Sequence, residues 1–143
     1  MLNCYNFISK DMKREMIRMN TAEKESAIKA YFNMWVQRDF SALDSIFAPD
    51  IFYSECYGPE YCGLHEIHQW IDTMLQKQTV LEWAIKQFLH ENNLVVVEWF
   101  FKEQQNNIVH GFDGVSIVEF HTDGKIHSIK EFESKAEHIT PYH

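Results

Sequence analysis

The chain has 143 residues, a length that fits one domain and lets it bury about two-thirds of the surface its unfolded form exposes. Apolar residues make up 45% and charged residues 24%, ordinary for a soluble globular protein, and 5 Gly plus 3 Pro are too few for disorder or long loops. Thirteen Lys and Arg against 21 Asp and Glu leave a net charge of −8, which argues against a nucleic-acid surface built on clustered basic residues.

Residues 1–20 read as an N-terminal helical extension, with Met12, Met16 and Met19 at helical spacing among charged neighbours. Any of those methionines is also a candidate start of translation. The domain proper is expected over 21–143. Asn20 is placed to cap its first helix, with Glu23 reaching back from the third position. Ile28, Tyr31, Phe32, Trp35 and Val36 then recur at i, i+3, i+4, i+7 and i+8, which predicts a long helix with an aromatic face. A short second helix carries Leu43, Ile46 and Phe47 and ends at Pro49-Asp50.

Ile51 to Tyr57 reads as a strand, with Ile51, Tyr53, Glu55 and Tyr57 on one face. Gly58-Pro59 is a turn, and a third helix is expected from about Leu64 to Lys77. Beyond Thr79 the period switches to two and predicts strands over Val80–His90, Leu94–Glu103, Gly111–His121 and Lys125–Ser134. Asp123-Gly124 between two apolar runs is a strong hairpin signal. Three helices followed by mostly antiparallel strands give an α+β fold with helices on one face of a sheet.

Several absences narrow the function. No apolar run approaches the ~18 residues of a membrane span, and Met1 to Lys10 does not read as a signal peptide. Cys4, Cys56 and Cys62 are odd in number and form no C-x-x-C pair, which predicts free thiols and a cytoplasmic setting. No glycine-rich phosphate loop is present. His65-Glu66-x-His68 lacks the H-E-x-x-H spacing and a third ligand, so no metal is expected there. By alternation Glu98 and Glu119 fall on the sheet face opposite Trp99 and Ser116.

Tyr31 through Ala48, Asp50 through Ile71 with its YGPEYCGLHEIHQWI, and Phe112 through Ser134 with its DGKI hairpin frame the chain after the extension. In element order and in these stretches the chain resembles the SnoaL-like branch of the nuclear transport factor 2-like superfamily. The resemblance implies a curved, mostly antiparallel sheet wrapped around the long helix, a cone-shaped, cystatin-like α+β barrel whose interior is a pocket. It also implies a homodimer through the outer sheet face, and it leaves the activity open, because members include isomerases, cyclases, dehydratases, epoxide hydrolases and non-catalytic modules.

Residue by residue, the resemblance implies the following roles. Tyr31 and Glu55 fall where the isomerases carry a donor tyrosine and an aspartate base, and Ser116 falls where they carry a protonated aspartate. Glu131 falls where the epoxide hydrolases carry a catalytic aspartate, but their Arg and Asp on the middle strand are Trp99 and Phe101 here. Glu55 has apolar and aromatic neighbours on its face, which predicts a raised pKa suited to a general base. If Glu55 and Glu131 converge, repulsion splits their pKa values and leaves one protonated. His110, expected near the pocket mouth, is a candidate proton shuttle. Trp35, Tyr53, Tyr57, Trp70, Met74, Trp83, Trp99, Phe101, Phe112 and Ile129 are the candidate pocket wall, and many of them serve equally as plain core. The expected chemistry is cofactor-free isomerisation or dehydration of a small carbonyl compound, and the alternative is a ligand-binding or dimerisation module.

Overall fold

The computed structural model describes the backbone from Lys10 to His143 and the side chains from Thr21 onward. The first element is one helix, α1 (Lys10–Gln37), where the sequence pattern predicts two. Asn20 therefore lies inside the helix and is not its cap. Asn and Thr cost a helix only tenths of a kcal/mol each, about 0.7 at most, and no Gly or Pro interrupts Lys10 to Gln37. The expected stripe of Met12, Met16 and Met19 side chains lies outside the described residues. Ile28, Tyr31, Phe32 and Trp35 are buried along one face, as their spacing requires. The helix stops at Arg38, whose backbone is left-handed at φ 56°.

The chain then forms α2 (Leu43–Ile46), β1 (Phe47–Ser54), β2 (Glu60–Cys62), α3 (Gly63–Leu75), β3 (Thr79–Glu91), β4 (Leu94–Gln105), β5 (Ile108–Phe120) and β6 (Ile126–Glu133). β1 starts four residues before the expected Ile51. Phe47 already pairs with Ile126, and the register with β6 shifts before Phe52. Pro49, which has no N–H to give a ladder, sits inside that irregular stretch. The strand also ends early: Glu55 to Pro59 form a tight turn, with the Glu55 N–H on the Pro59 carbonyl and the Gly58 N–H on the Glu55 carbonyl. The short β2 was not expected from its three residues. Arg38 donates to the carbonyls of Leu75 and Gln78 at 2.6 and 2.9 Å, tying the end of α1 to the end of α3.

The six strands form one sheet in the order β2-β1-β6-β5-β4-β3. All neighbours are antiparallel except β1 and β6, which run parallel. The sheet is curved and mostly antiparallel but unclosed, with β2 and β3 as its edges, so the expected barrel is an open one. α1 packs on β3 and α3 on β1. Between helices and sheet lies a largely aromatic core. Phe32 stacks on Trp83 at 3.8 Å, and Trp83 meets Trp99 and Phe101 edge-on. Glu98 and Glu119 lie on the opposite sheet face, as expected, where Gln87 donates to Glu98 and His127 stands 3.8 Å from Glu119.

Gly114 makes room for this core. It is the cross-strand partner of Trp99, and the indole lies across it. A Cβ there would stand 2.5 Å from the Phe132 carbonyl oxygen and closer still to the Trp99 ring. Gly114→Ala is expected to lower stability by about 1–3 kcal/mol, the usual cost of overpacking. Urea unfolding checks it, and an unchanged midpoint would mean that Trp99 is free to move aside.

Candidate functional site

The chain brings Glu55 and Glu131 to one cavity. Its wall is Trp35, Tyr53, Cys56, Tyr57, Trp70, Gln78, Val80, Trp83, Trp99, Phe101 and Phe112. β1 and the turn after it supply Tyr53 to Tyr57, β6 supplies Glu131, and β3 to β5 supply the rings opposite. The cavity volume is about 30 Å³, room for one or two water molecules. Aromatic side chains fill most of the space inside the curved sheet. Tyr57, 49% exposed and edge-on to Phe112, is the most exposed large ring of the wall.

The two carboxyls stand in different surroundings. Glu131 is partly buried as a residue, but its carboxyl end is enclosed. Burial pushes it up to about 8; the Glu55 charge adds to the rise, while the Tyr53 hydroxyl and the Cys56 backbone N–H act against it. Glu55 is 9% exposed and is also raised by burial. The Tyr61 hydroxyl, donating at 3.1 Å, and the nearby Trp70 indole hold it down, with help from Lys77. At neutral pH Glu131 therefore keeps its proton, and Glu55 is the carboxyl that loses its proton first.

Behind Glu131 runs a chain of hydrogen bonds. Tyr53 donates to Glu131 Oε2 at 2.8 Å, Tyr31 donates to Tyr53 at 2.8 Å, and Trp35 Nε1 donates to Tyr31 at 3.0 Å. Both tyrosines are fully buried, and burial holds both hydroxyls well above the ordinary phenol range.

Five of the expected site residues do not line this cavity. Tyr31 lies one layer deeper and reaches it only through Tyr53. Ser116 is fully buried and accepts the Trp99 indole N–H at 2.9 Å. His110 lies in a surface groove with Asp113 and His138. Met74 lines a separate groove beside Tyr61 and Trp70, and Ile129 is core. Helical spacing for Tyr31 and strand alternation for Ser116 each assign a face, but neither says how deep a side chain stops. His68 pairs with Asp44 at 2.6 Å.

Sequence reasoning missed Cys56, Gln78 and Val80. Alternation puts Cys56 on the face opposite Glu55, but the strand ends at Ser54 and the turn brings both to the cavity. Gln78 lies in the link between α3 and β3, which carries no periodic signal.

The family that this geometry suggests is matched directly. The SnoaL-like domain family matches residues 28–129. The chain belongs to the SnoaL-like family. No curated protein matches it. Among solved structures, it is similar to an LEH-like epoxide hydrolase of M. tuberculosis, at 18% identity and a TM-score of 0.71, over 79% of each chain. It is also similar to a ketosteroid isomerase-fold protein of Catenulispora acidiphila solved with trimethylamine. That match has 17% identity and a TM-score of 0.68, covering 76% of this chain and 85% of the other. A proposed polyketide cyclase of Xanthomonas campestris matches at 15% identity and a TM-score of 0.67, over 80% and 93%. At these identities the likeness is one of fold, and this SnoaL-like chain shares with them an α+β architecture around an N-terminal helix. No described helix is long and apolar enough to cross a membrane.

Proposed function

We propose that this SnoaL-like protein is a cofactor-free acid–base enzyme acting on a small, apolar carbonyl compound by proton transfer next to the carbonyl, as in isomerisation or dehydration. One observation carries the reading: two carboxyls, raised to different degrees, line one aromatic cavity. Glu55 is the base that takes the carbon-bound proton, and Glu131 is the acid that gives its own to the oxygen. Two environments thus make one carboxylate and one carboxylic acid. The neutral, ring-lined wall suits a flat apolar ligand, and entry of a ring requires Tyr57 to swing aside.

The same reading includes two subunits paired through the outer sheet face, where Val96, Phe100, Val115 and Ile117 are half-buried in one subunit alone. It also includes a cytoplasmic place, which suits the free thiols of Cys56 and Cys62.

The experiment is hydrogen exchange on a small ketone. Cyclopentanone is incubated with the protein in D2O, and loss of its α-proton signal is followed by NMR. The wild type is expected to speed exchange above buffer. No acceleration with cyclopentanone or with other small cyclic ketones would overturn the enzyme reading. A second reading, a non-catalytic binding or dimerisation module, is favoured by one fact, the cavity's 30 Å³, and that null result would support it.

A further inference from the structure

We propose that Tyr53 is a positioning residue: the one-way chain Trp35–Tyr31–Tyr53 delivers a donor to Glu131 Oε2, so this carboxyl turns its own proton from Oε1 toward the cavity and meets a ligand as a donor. The function of that proton rests on the acid–base reading above. Its direction rests on the hydrogen bonds alone.

An indole N–H only donates. Trp35 Nε1 is 3.0 Å from the Tyr31 oxygen, which must therefore accept. Tyr31 is wholly buried, and among the described residues the one acceptor within reach of its own proton is the Tyr53 oxygen at 2.8 Å. Tyr53 in turn has, among the described residues, one place for its proton, Glu131 Oε2 at 2.8 Å. Reversing the chain would have Glu131 donate to Tyr53 and Tyr53 donate to Tyr31. The Tyr31 proton would then be buried with no acceptor, a state that folded proteins avoid. Every donor in the row thus points the same way, and Oε2 is committed to accepting.

The groups that face Glu131 agree with this polarity. Glu55, across the cavity, is an acceptor once ionised and cannot supply a proton. The Cys56 backbone N–H offers a further donor to the carboxyl. The thiol of Cys56 and the hydroxyl of Tyr57 are both pushed up by burial, so neither adds a charge beside it. With Oε2 accepting from Tyr53, a neutral Glu131 carries its proton on the other oxygen. An oxygen acceptor in the ligand is the partner that such a group recognises, whereas a ligand carboxylate would meet the Glu55 charge.

The polarity sets the sign of a measurable shift. A donor to the carboxylate favours its charged form, so losing the donor raises the titration midpoint. If Glu131 instead donated to Tyr53, losing Tyr53 would lower it. Glutamate side-chain carboxyls labelled with 13C are titrated by NMR, and Glu131→Gln identifies the signal by its loss. Tyr53→Phe is expected to move the Glu131 midpoint up by about one pH unit. Tyr31→Phe, which keeps Tyr53 but removes the donor behind it, is expected to move it the same way by less. It also decides the matter should Tyr53→Phe not fold. A midpoint that stays or falls in the folded variant overturns the proposal. Because no ligand is used, failure of the ketone experiment leaves this result untouched, and the two ideas fail separately.

Discussion

Replacing Trp99 by alanine is expected to cost about 3–5 kcal/mol of folding stability, the usual loss for a buried tryptophan. The whole stability of a domain is about 5–15 kcal/mol, so the variant is expected to fold only marginally. Trp99 is 1% exposed and touches Trp83, Phe101 and Phe112 with its ring. Its indole N–H is held by the Ser116 hydroxyl. Truncation removes those contacts, withdraws the donor from a buried hydroxyl and bares Gly114, whose missing side chain cannot fill the gap. Urea unfolding reads the loss, and a cost below about 2 kcal/mol would show that the neighbouring rings collapse into the hole.

The same variant separates the two functional readings. Trp99 lines the cavity, so its removal enlarges the cavity. If the aromatics are a plug in a binding module, Trp99→Ala is expected to gain affinity for a small apolar probe such as benzene, which fills dry engineered cavities of this kind. If they are the wall of a working site, the variant is expected to lose ketone exchange, because the ligand is no longer held against Glu55 and Glu131.

Where the chain is periodic, the fold is legible from residues. The spacing of Ile28, Tyr31, Phe32 and Trp35 marks the buried helix face, and all four residues are buried. The switch to period two after Thr79 marks four long strands whose bounds differ by at most three residues. The misreadings fall where periodicity is interrupted. Pro49 looks like a helix stop but sits in a strand irregularity, and Asn20 looks like a cap but lies within a helix.

The site is legible in its carboxylates and less so in its hydroxyls. Glu55, in the turn after β1, and Glu131, in β6, stand 76 residues apart in the chain, and the parallel pairing of β1 with β6, Tyr53 opposite Ile129, places them at one end of the sheet. That pairing is a property of topology, and neither the residues nor the family resemblance had specified it. Depth had no such signal. Tyr31 and Tyr53 are both inward tyrosines in the sequence, yet Tyr53 touches the acid and Tyr31 touches Tyr53. Ser116 reads as a donor to a ligand, yet the Trp99 indole on the adjacent strand occupies it. Hydrogen-bond partners of this kind follow from packing, which one sequence does not spell out.

Glu55→Gln is expected to reduce ketone exchange by about 10²–10⁴-fold, the usual contribution of a positioned general base. The amide keeps the size of the side chain and can still meet the Tyr61 hydroxyl through its carbonyl, so the fold is expected to remain intact. The pH profile of the wild type follows from the two carboxyls. As pH falls through the raised pKa of Glu55, the base takes a proton and the rate drops. As pH rises through about 8, Glu131 loses the proton it should give and the rate drops again. A bell with its maximum between these limits is expected, measured as exchange rate against pH. Glu131 also ties stability to pH. Its folded pKa of about 8 stands above the ordinary 4.5, so between those values the folded chain holds a proton that the unfolded chain releases. Its contribution to stability is complete below about 4.5 and declines as pH rises toward 8. Glu131→Gln is expected to remove that decline along with the alkaline limb of the bell. Full activity in Glu55→Gln, in a variant whose unfolding midpoint matches the wild type, would remove Glu55 from the reaction and leave Glu131 as the one carboxyl able to carry it.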